Sequence, residues 1–185
     1  SLGLQPVSLV PNMMEELEKW QKYGVEGHFV GKRPWFEIED FLVEKMAEVV
    51  GAKKIEVSVM NSLTANLHLG MVAFYRPTEK RYKILIEANP FPSDMHAIVS
   101  QIKFHGFDPE KALVQVAPRK GETYIRTEDV VRAIQEEGTS LALVLLGDVQ
   151  FLTGQAFELE KICKATHQMG AYFGVNLAHG VGNLE

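Results

Sequence analysis

Apolar and polar positions along this chain switch between a period of 3.6 residues and a period of 2, which predicts helices and strands taking turns. Asn12 is placed to cap a first helix that carries Met14, Leu17 and Trp20 on one side. A second helix is expected from about Glu37 to Val50, with Ile38, Leu42, Met46 and Val49 as its apolar stripe and Gly51 as its stop. Ile55 to Met60 alternates as a half-buried strand does. Ser62 to Tyr75 is mostly apolar, which predicts a buried helix, and Tyr82 to Ala88 reads as a strand. Ser93 is placed to cap the next helix, along which Ile98, Ile102 and His105 are spaced. Leu113 to Ala117 is a short strand, and Thr127 is placed to cap a helix over Glu128 to Glu137 that Gly138 ends. Leu141 to Leu146 is an unbroken apolar run, the mark of a strand covered on both faces. An amphipathic helix over Phe157 to Met169 and a strand over Ala171 to Asn176 complete the pattern.

Strands alternating with helices predict a three-layer α/β/α arrangement around a largely parallel sheet. Ligands on such sheets gather beyond the C-terminal strand ends. That rule directs attention to Met60–Thr64, Asn89–Asp94, Gly147–Asp148 and Asn176–His179.

Composition changes this picture little. The 185 residues are 46% apolar and 23% charged, enough to fill a core, and the net charge of -5 offers no electrostatic footprint for nucleic acid or an anionic membrane. No apolar run approaches the roughly 18 residues of a membrane span. The one cysteine, Cys163, falls in an amphipathic helix and reads as a buried structural thiol, which points to a reducing, cytoplasmic setting. The first residues show no signal-peptide pattern. Neither end looks like the natural limit of a domain, so the chain reads as a partial domain over residues 1–185.

Four groups of residues have the chemistry of a site, each beside a plainer structural role. Ser62, Leu63 and Thr64 lie between a strand and a helix, where hydroxyls and free N–H groups hold phosphate or merely cap. Phe91, Pro92, Ser93 and Asp94 also lie between strand and helix. They offer an aromatic face and a carboxylate, or a turn with its cap. Asn176 ends a strand and His179 follows it, before Gly180 and Gly182. His28 sits near the cluster Lys32, Arg33, Pro34 and Trp35, where Arg33 has the fork geometry for a carboxylate, or a solvated loop. The six histidines are scattered, with no spacing that fits a metal. Serine-elbow, Walker and dinucleotide glycine motifs are absent from the sequence.

As an ordered set these segments resemble kynureninase, in the fold-type I group of pyridoxal-phosphate enzymes. The resemblance is carried by residues 1–6, Gly27–His28 with Val30–Trp35, Leu63–Thr64 with Asn66–Leu69, Lys80–Leu85, Phe91–Asp94, Thr153–Gln155, and Leu177–His179 with Val181–Asn183. It spans nearly the whole chain in the family's order.

The resemblance implies a hydrolase that cleaves the Cβ–Cγ bond of L-kynurenine or 3-hydroxykynurenine. The products would be L-alanine and anthranilate or its 3-hydroxy form. It implies pyridoxal phosphate as cofactor and a homodimer as the working form. Leu63 and Thr64 would hold the phosphate, Phe91 and Pro92 would lie against the pyridine ring, Ser93 and Asp94 would sit beside it, and Gly147 and His179 would border it. Ser1 and His28 would lie on the substrate side. The Schiff-base lysine is expected beyond Glu185.

Three departures matter. Asn176 stands where the family has the Asp that pairs with the ring nitrogen, and an amide carries no charge to keep that nitrogen protonated. Gly147 replaces a Ser, and Leu152 stands where the human-type enzyme has a Tyr. A non-catalytic relative that keeps the fold for binding or dimerisation is therefore the alternative. Another fold-type I enzyme, a cysteine desulfurase or a transaminase, fits the 32–35 and 91–94 segments less well.

Overall fold

The computed structural model describes residues 3–184, which divide into two compact units, one ending at Met60 and the other starting at Asn61.

The first unit holds two helices, α1 (Leu9–Tyr23) and α2 (Asp40–Val50), and 3₁₀ turns over Gly24–His28, Trp35–Glu37 and Lys54–Glu56. Helix α1 starts at Leu9 after Ser8, so Asn12 lies within its first turn and caps nothing. Helix α2 starts at Asp40, later than the pattern suggested, because 35–37 forms its own tight turn. A polar knot ties the loop after α1 back onto it. Lys19 Nζ donates to the Arg33 carbonyl at 2.6 Å, pairs with Glu16 and sits 5.1 Å above the Trp35 ring. Trp35 Nε1 donates to Glu16 at 2.7 Å, and Arg33 pairs with Glu15 and Glu16. Arg33 is thus already committed to carboxylates of its own unit. The Trp35 ring lies so close over Gly27 that a Cβ there would be 2.7 Å from it.

Residues 55–60 do not form the expected strand. A 3₁₀ turn occupies Lys54–Glu56, and residues 57–60 belong to no strand of the sheet. Alternation prepares a strand, but only a neighbouring strand completes one.

The second unit is built on four parallel strands in the order β2-β1-β3-β4: β1 (Lys83–Glu87), β2 (Leu113–Val116), β3 (Leu141–Gly147) and β4 (Tyr172–Asn176). The helices are α3 (Leu63–Phe74), α4 (Pro92–Phe104), the single turn α5 (Pro109–Ala112), α6 (Thr127–Glu137) and α7 (Leu159–Gln168). Two apolar clusters cover the two faces of the sheet. One joins Leu85, Val144 and Leu146 to Val130 and Ile134 of α6 and Ile162 of α7. The other joins Ile84, Ile86, Leu143 and Leu145 to Met71 of α3 and Ile98 and Ile102 of α4. This is the expected three-layer α/β/α arrangement. Burying each such side chain contributes roughly 1.5–3 kcal/mol.

Polar ties finish the lower edge of the sheet. The Tyr75 hydroxyl donates to the Tyr82 carbonyl at 2.7 Å, and burial pushes that phenol up to about 12. Arg81 Nη1 donates to the carbonyls of Leu141 at 2.5 Å and Met169 at 3.1 Å.

Four expectations need correction here. Helix α3 is apolar but only Met71 of it is buried, because one flank faces an open trough rather than protein. Cys163 is half-exposed on α7, its Sγ 3.7 Å from His167 Nδ1 one turn on, so it is not a core thiol. Ser93 is not a cap: α4 opens at Pro92 with Phe91 before it, since proline suits the first helical position where no N–H is needed. Thr127 is the first residue of α6 and its hydroxyl donates to Glu158 at 3.0 Å.

Candidate functional site

The C-terminal ends of β1, β3 and β4 lead into the three turns that carry most of the expected site residues. Strand β1 ends at Glu87, and the chain turns at Asn89 with φ 53, a left-handed conformation that Asn tolerates better than most residues. Phe91 follows, then Pro92, Ser93 and Asp94 in the first turn of α4. The Phe91 ring is about half exposed and packs edge-on against Phe151 at 5.2 Å.

Asp94 is buried, and its Oδ2 accepts a hydrogen bond from Asn176 Nδ2 at 2.6 Å, across 82 positions of sequence. Asn176 Oδ1 accepts from the Ala178 N–H at 3.0 Å. The Ser93 hydroxyl lies 3.4 Å from Asp94 Oδ1. Two predicted site residues from different turns are therefore directly joined.

Gly147 pairs in register with Asn176 on the neighbouring strand. Its N–H donates to Glu87 Oε1 at 3.3 Å. A Cβ at this position would lie 3.3 Å from the Val149 carbonyl oxygen and 3.4 Å from Glu87 Oε1, so the turn closes tightly around a residue with no side chain. Burial pushes the Glu87 carboxyl up from its ordinary value. Its own N–H and that of Gly147 pull it back, and the charge of Asp94 adds to the rise.

Helix α3 begins beside these strand ends. Ser62 caps it by accepting from the Ala65 N–H at 3.5 Å. The N–H groups of Leu63 and Thr64 have no protein acceptor among the described residues. They lie at the positive end of a helix dipole, beside the Thr64 hydroxyl, a donor set suited to an anion. Leu63 and Asn176 both line a cavity of about 410 Å³ that runs down between α3 and β4 past Met71, Phe74 and Tyr172. Its walls are apolar for most of its length; only its upper rim coincides with the strand-end turns.

His179 lies in the turn after β4, its carbonyl accepting from Asn183 Nδ2 at 2.9 Å. His28 belongs to the first unit. Its Nδ1 donates to the Val25 carbonyl at 2.9 Å and its ring meets Trp35 edge-on at 5.2 Å. Ser1 lies outside the described residues.

Two side chains in this region, Gln150 and Glu87, escaped sequence reasoning. Gln150 organises the turn after β3: its Oε1 accepts from the N–H groups of Leu152 at 2.7 Å and Thr153 at 3.0 Å, and its Nε2 donates to the Asn89 carbonyl at 2.8 Å. It joins the β1 and β3 turns as Asp94 joins those of β1 and β4. Glu87 is an acid closing a strand whose centre, Ile84–Ile86, is apolar, and that placement is a signal present in the sequence itself. Buried Asp148 lies against Gly180, where a Cβ would collide with its carboxylate unless that side chain turned away. Among the described residues no group of acidic, histidine or cysteine side chains is arranged to hold a metal ion. No helix among them is long and apolar enough to cross a membrane.

No family model matches the chain. It is 52% identical over all 185 residues to kynureninase of Myxococcus xanthus (strain DK1622), of which it covers 43%, and 48% identical over the same span to that of Homo sapiens, of which it covers 40%. In structure it resembles a variant of the cystine C–S lyase C-DES with glycine covalently linked to its PLP cofactor. The TM-score is 0.74 at 15% identity, over 98% of this chain and 46% of that one. That likeness establishes a fold shared with pyridoxal-phosphate enzymes, and the far higher sequence identity separates the kynureninases from the other enzymes of that fold. The chain is similar to kynureninases along its whole length and spans about two-fifths of the length of the curated relatives it matches.

Proposed function

We propose that the protein to which these residues belong is a pyridoxal-phosphate-dependent hydrolase of kynureninase type, cleaving L-kynurenine or 3-hydroxykynurenine to L-alanine and anthranilate or 3-hydroxyanthranilate. The observation that carries this reading is the identity of about half of all positions with kynureninases. We further propose that residues 1–185 are part of its cofactor-binding large domain and that it works as a cytoplasmic homodimer, as the family resemblance implies.

The side chains present fit the cofactor. An exposed aromatic face, a helix start with two unanswered N–H groups, and a carboxamide with one N–H to spare are what a flat phosphorylated ring requires. When bound, the cofactor supplies an electron sink for the charge left when the carbon–carbon bond breaks. Leu63 and Thr64 hold its phosphate through backbone N–H groups and the Thr64 hydroxyl. Phe91 stacks on the ring, with Pro92 starting α4 so that Ser93 and Asp94 lie alongside. Asn176 meets the ring nitrogen, Gly147 borders the ring without a side chain, and His179 joins the polar groups around it. Ser1 and His28 belong on the substrate side.

The test is anthranilate fluorescence on mixing the full-length protein with L-kynurenine and pyridoxal phosphate. Formation of product that needs both supports the reading. Asn176→Asp is expected to raise turnover by about 10²–10³-fold, the usual scale of a lost electrostatic contact at a reacting centre. The second reading, a relative that binds the cofactor without turnover, is favoured by Asn176, Gly147 and Leu152 together. It is supported if cofactor binds but neither the natural protein nor Asn176→Asp yields product.

A further inference from the structure

The Asn176 carboxamide is held at both ends by the protein. The Ala178 backbone N–H can only donate, so it must face Oδ1, at 3.0 Å. That contact settles which end of the amide is which, a choice otherwise left to inference. Nδ2 then gives one hydrogen to Asp94 Oδ2 at 2.6 Å. Asp94 is itself buried and anchored in the first turn of α4, so this end is not free to turn. The donor left over is the second N–H of Nδ2, which has no protein acceptor among the described residues, while Oδ1 keeps a second lone pair beside the one that the Ala178 N–H fills. Asn176 also lines the cavity between α3 and β4, so the site opens onto it.

A clamped N–H facing a ring nitrogen accepts only one partner. A neutral pyridine nitrogen presents a lone pair and completes a hydrogen bond. A pyridinium presents a second N–H, and two donors meeting in a half-buried site leave both unsatisfied. We propose that Asp94 is a positioning residue that fixes Asn176 as a donor, so that this site takes a heteroaromatic ring with its nitrogen unprotonated. The inference rests on the cofactor reading above and adds the protonation state of the ring.

The experiment is ¹⁵N NMR of pyridoxal phosphate labelled at the ring nitrogen, bound to the full-length protein. The expected resonance lies in the neutral-pyridine region and stays there across neutral pH, whereas Asn176→Asp moves it to the pyridinium region. Asp94→Leu, which removes the acceptor, is expected to shift the resonance toward that of a pyridine with no hydrogen bond. Asp94→Asn, whose side-chain oxygen accepts the same bond, returns it to the wild-type position. A purely structural role for Asp94 would not give that pattern. A pyridinium resonance in the natural protein overturns the inference and leaves the cofactor reading standing. An unchanged resonance in folded Asp94→Leu overturns the positioning role. Absence of any bound-ring signal overturns the cofactor reading and this inference with it.

Discussion

Helices α1 and α6 are both amphipathic, yet they end in opposite situations. Helix α6 buries Val130 and Ile134 in a cluster shared with α7 and the sheet. Helix α1 leaves Met13, Met14, Leu17 and Trp20 on the surface and buries only Lys19, through the polar knot with Glu16, Arg33 and Trp35. The contrast extends to the units. In residues 3–60 the buried apolar side chains are Val43 and Ala47, whereas the sheet unit has a continuous cluster on each face. An amphipathic pattern states which face of a helix needs cover; it does not say what supplies the cover. The first unit is therefore held by directional polar contacts that are individually weak at a surface, and the second by apolar area.

The largest effect that follows is in hydrogen exchange. Amides of β1 and β3, central in the sheet, should exchange only by global opening, while those of α1 and α2 should exchange by local opening orders of magnitude faster. Equal protection in both units would break the comparison. Next comes the cost of deleting the same side chain in each. Leu146→Ala removes a fully buried side chain between β3 and the α6–α7 layer, and should cost about 2–5 kcal/mol in denaturant unfolding. Leu17→Ala, at a half-exposed position on α1, should stay within about 0.5 kcal/mol. A loss at Leu17 as large as that at Leu146 would show that the α1 stripe is covered in solution.

A smaller effect sharpens the comparison of polar ties. Asp129 at the start of α6 accepts from Arg119 at 2.7 and 2.8 Å and also from Arg132. The Arg119 hydrogen bonds hold its carboxyl down at about 2, against the ordinary 3.8, with the charges of Arg119 and Arg132 assisting and burial opposing. A depressed folded value means the stabilisation is present above pH 3.8 and is lost as pH falls from there toward 2. Asp129→Asn should remove that segment of the acid-unfolding curve. A mutant curve parallel to the natural one would show that the cluster contributes nothing to pH dependence.

What could be read from the sequence divides along the same line. Leu141 to Leu146 was legible as a doubly covered strand because six consecutive apolar residues have no other stable place, and the structure buries all six. The alternation at 55–60 was equally regular and produced no strand, since pairing is a property of two segments and only one was in view. Helix starts were misplaced at Asn12 and Ser93, where the cap positions fall instead at Ser8 and at Phe91, the latter ahead of a proline. At the site, residue types and turns were legible, but the bond between Asp94 and Asn176 spans 82 positions and the tie from Gln150 to Asn89 spans 61. Contacts of that kind are made by the sheet, which brings the three strand ends together, and no local pattern announces them.

The smallest expected effect concerns Glu87, the acid that closes β1 where the apolar core meets the polar strand ends. Burial raises its carboxyl above the ordinary 4.5, its own N–H and the Gly147 N–H partly offset that rise, and Asp94 reinforces it. A raised folded value means that the native state binds the proton more tightly than the unfolded chain does. Stability therefore falls as pH climbs from 4.5 through the folded value, and the penalty stays above it. Glu87→Gln keeps an oxygen to accept from Gly147 and removes the charge that burial opposes. Its melting temperature should match that of the natural protein at pH 4 and exceed it slightly at pH 8. The opposite order at pH 8 would mean that the Gly147 bond outweighs burial, and that this corner of the sheet is held as the first unit is, by polar contacts rather than by apolar cover.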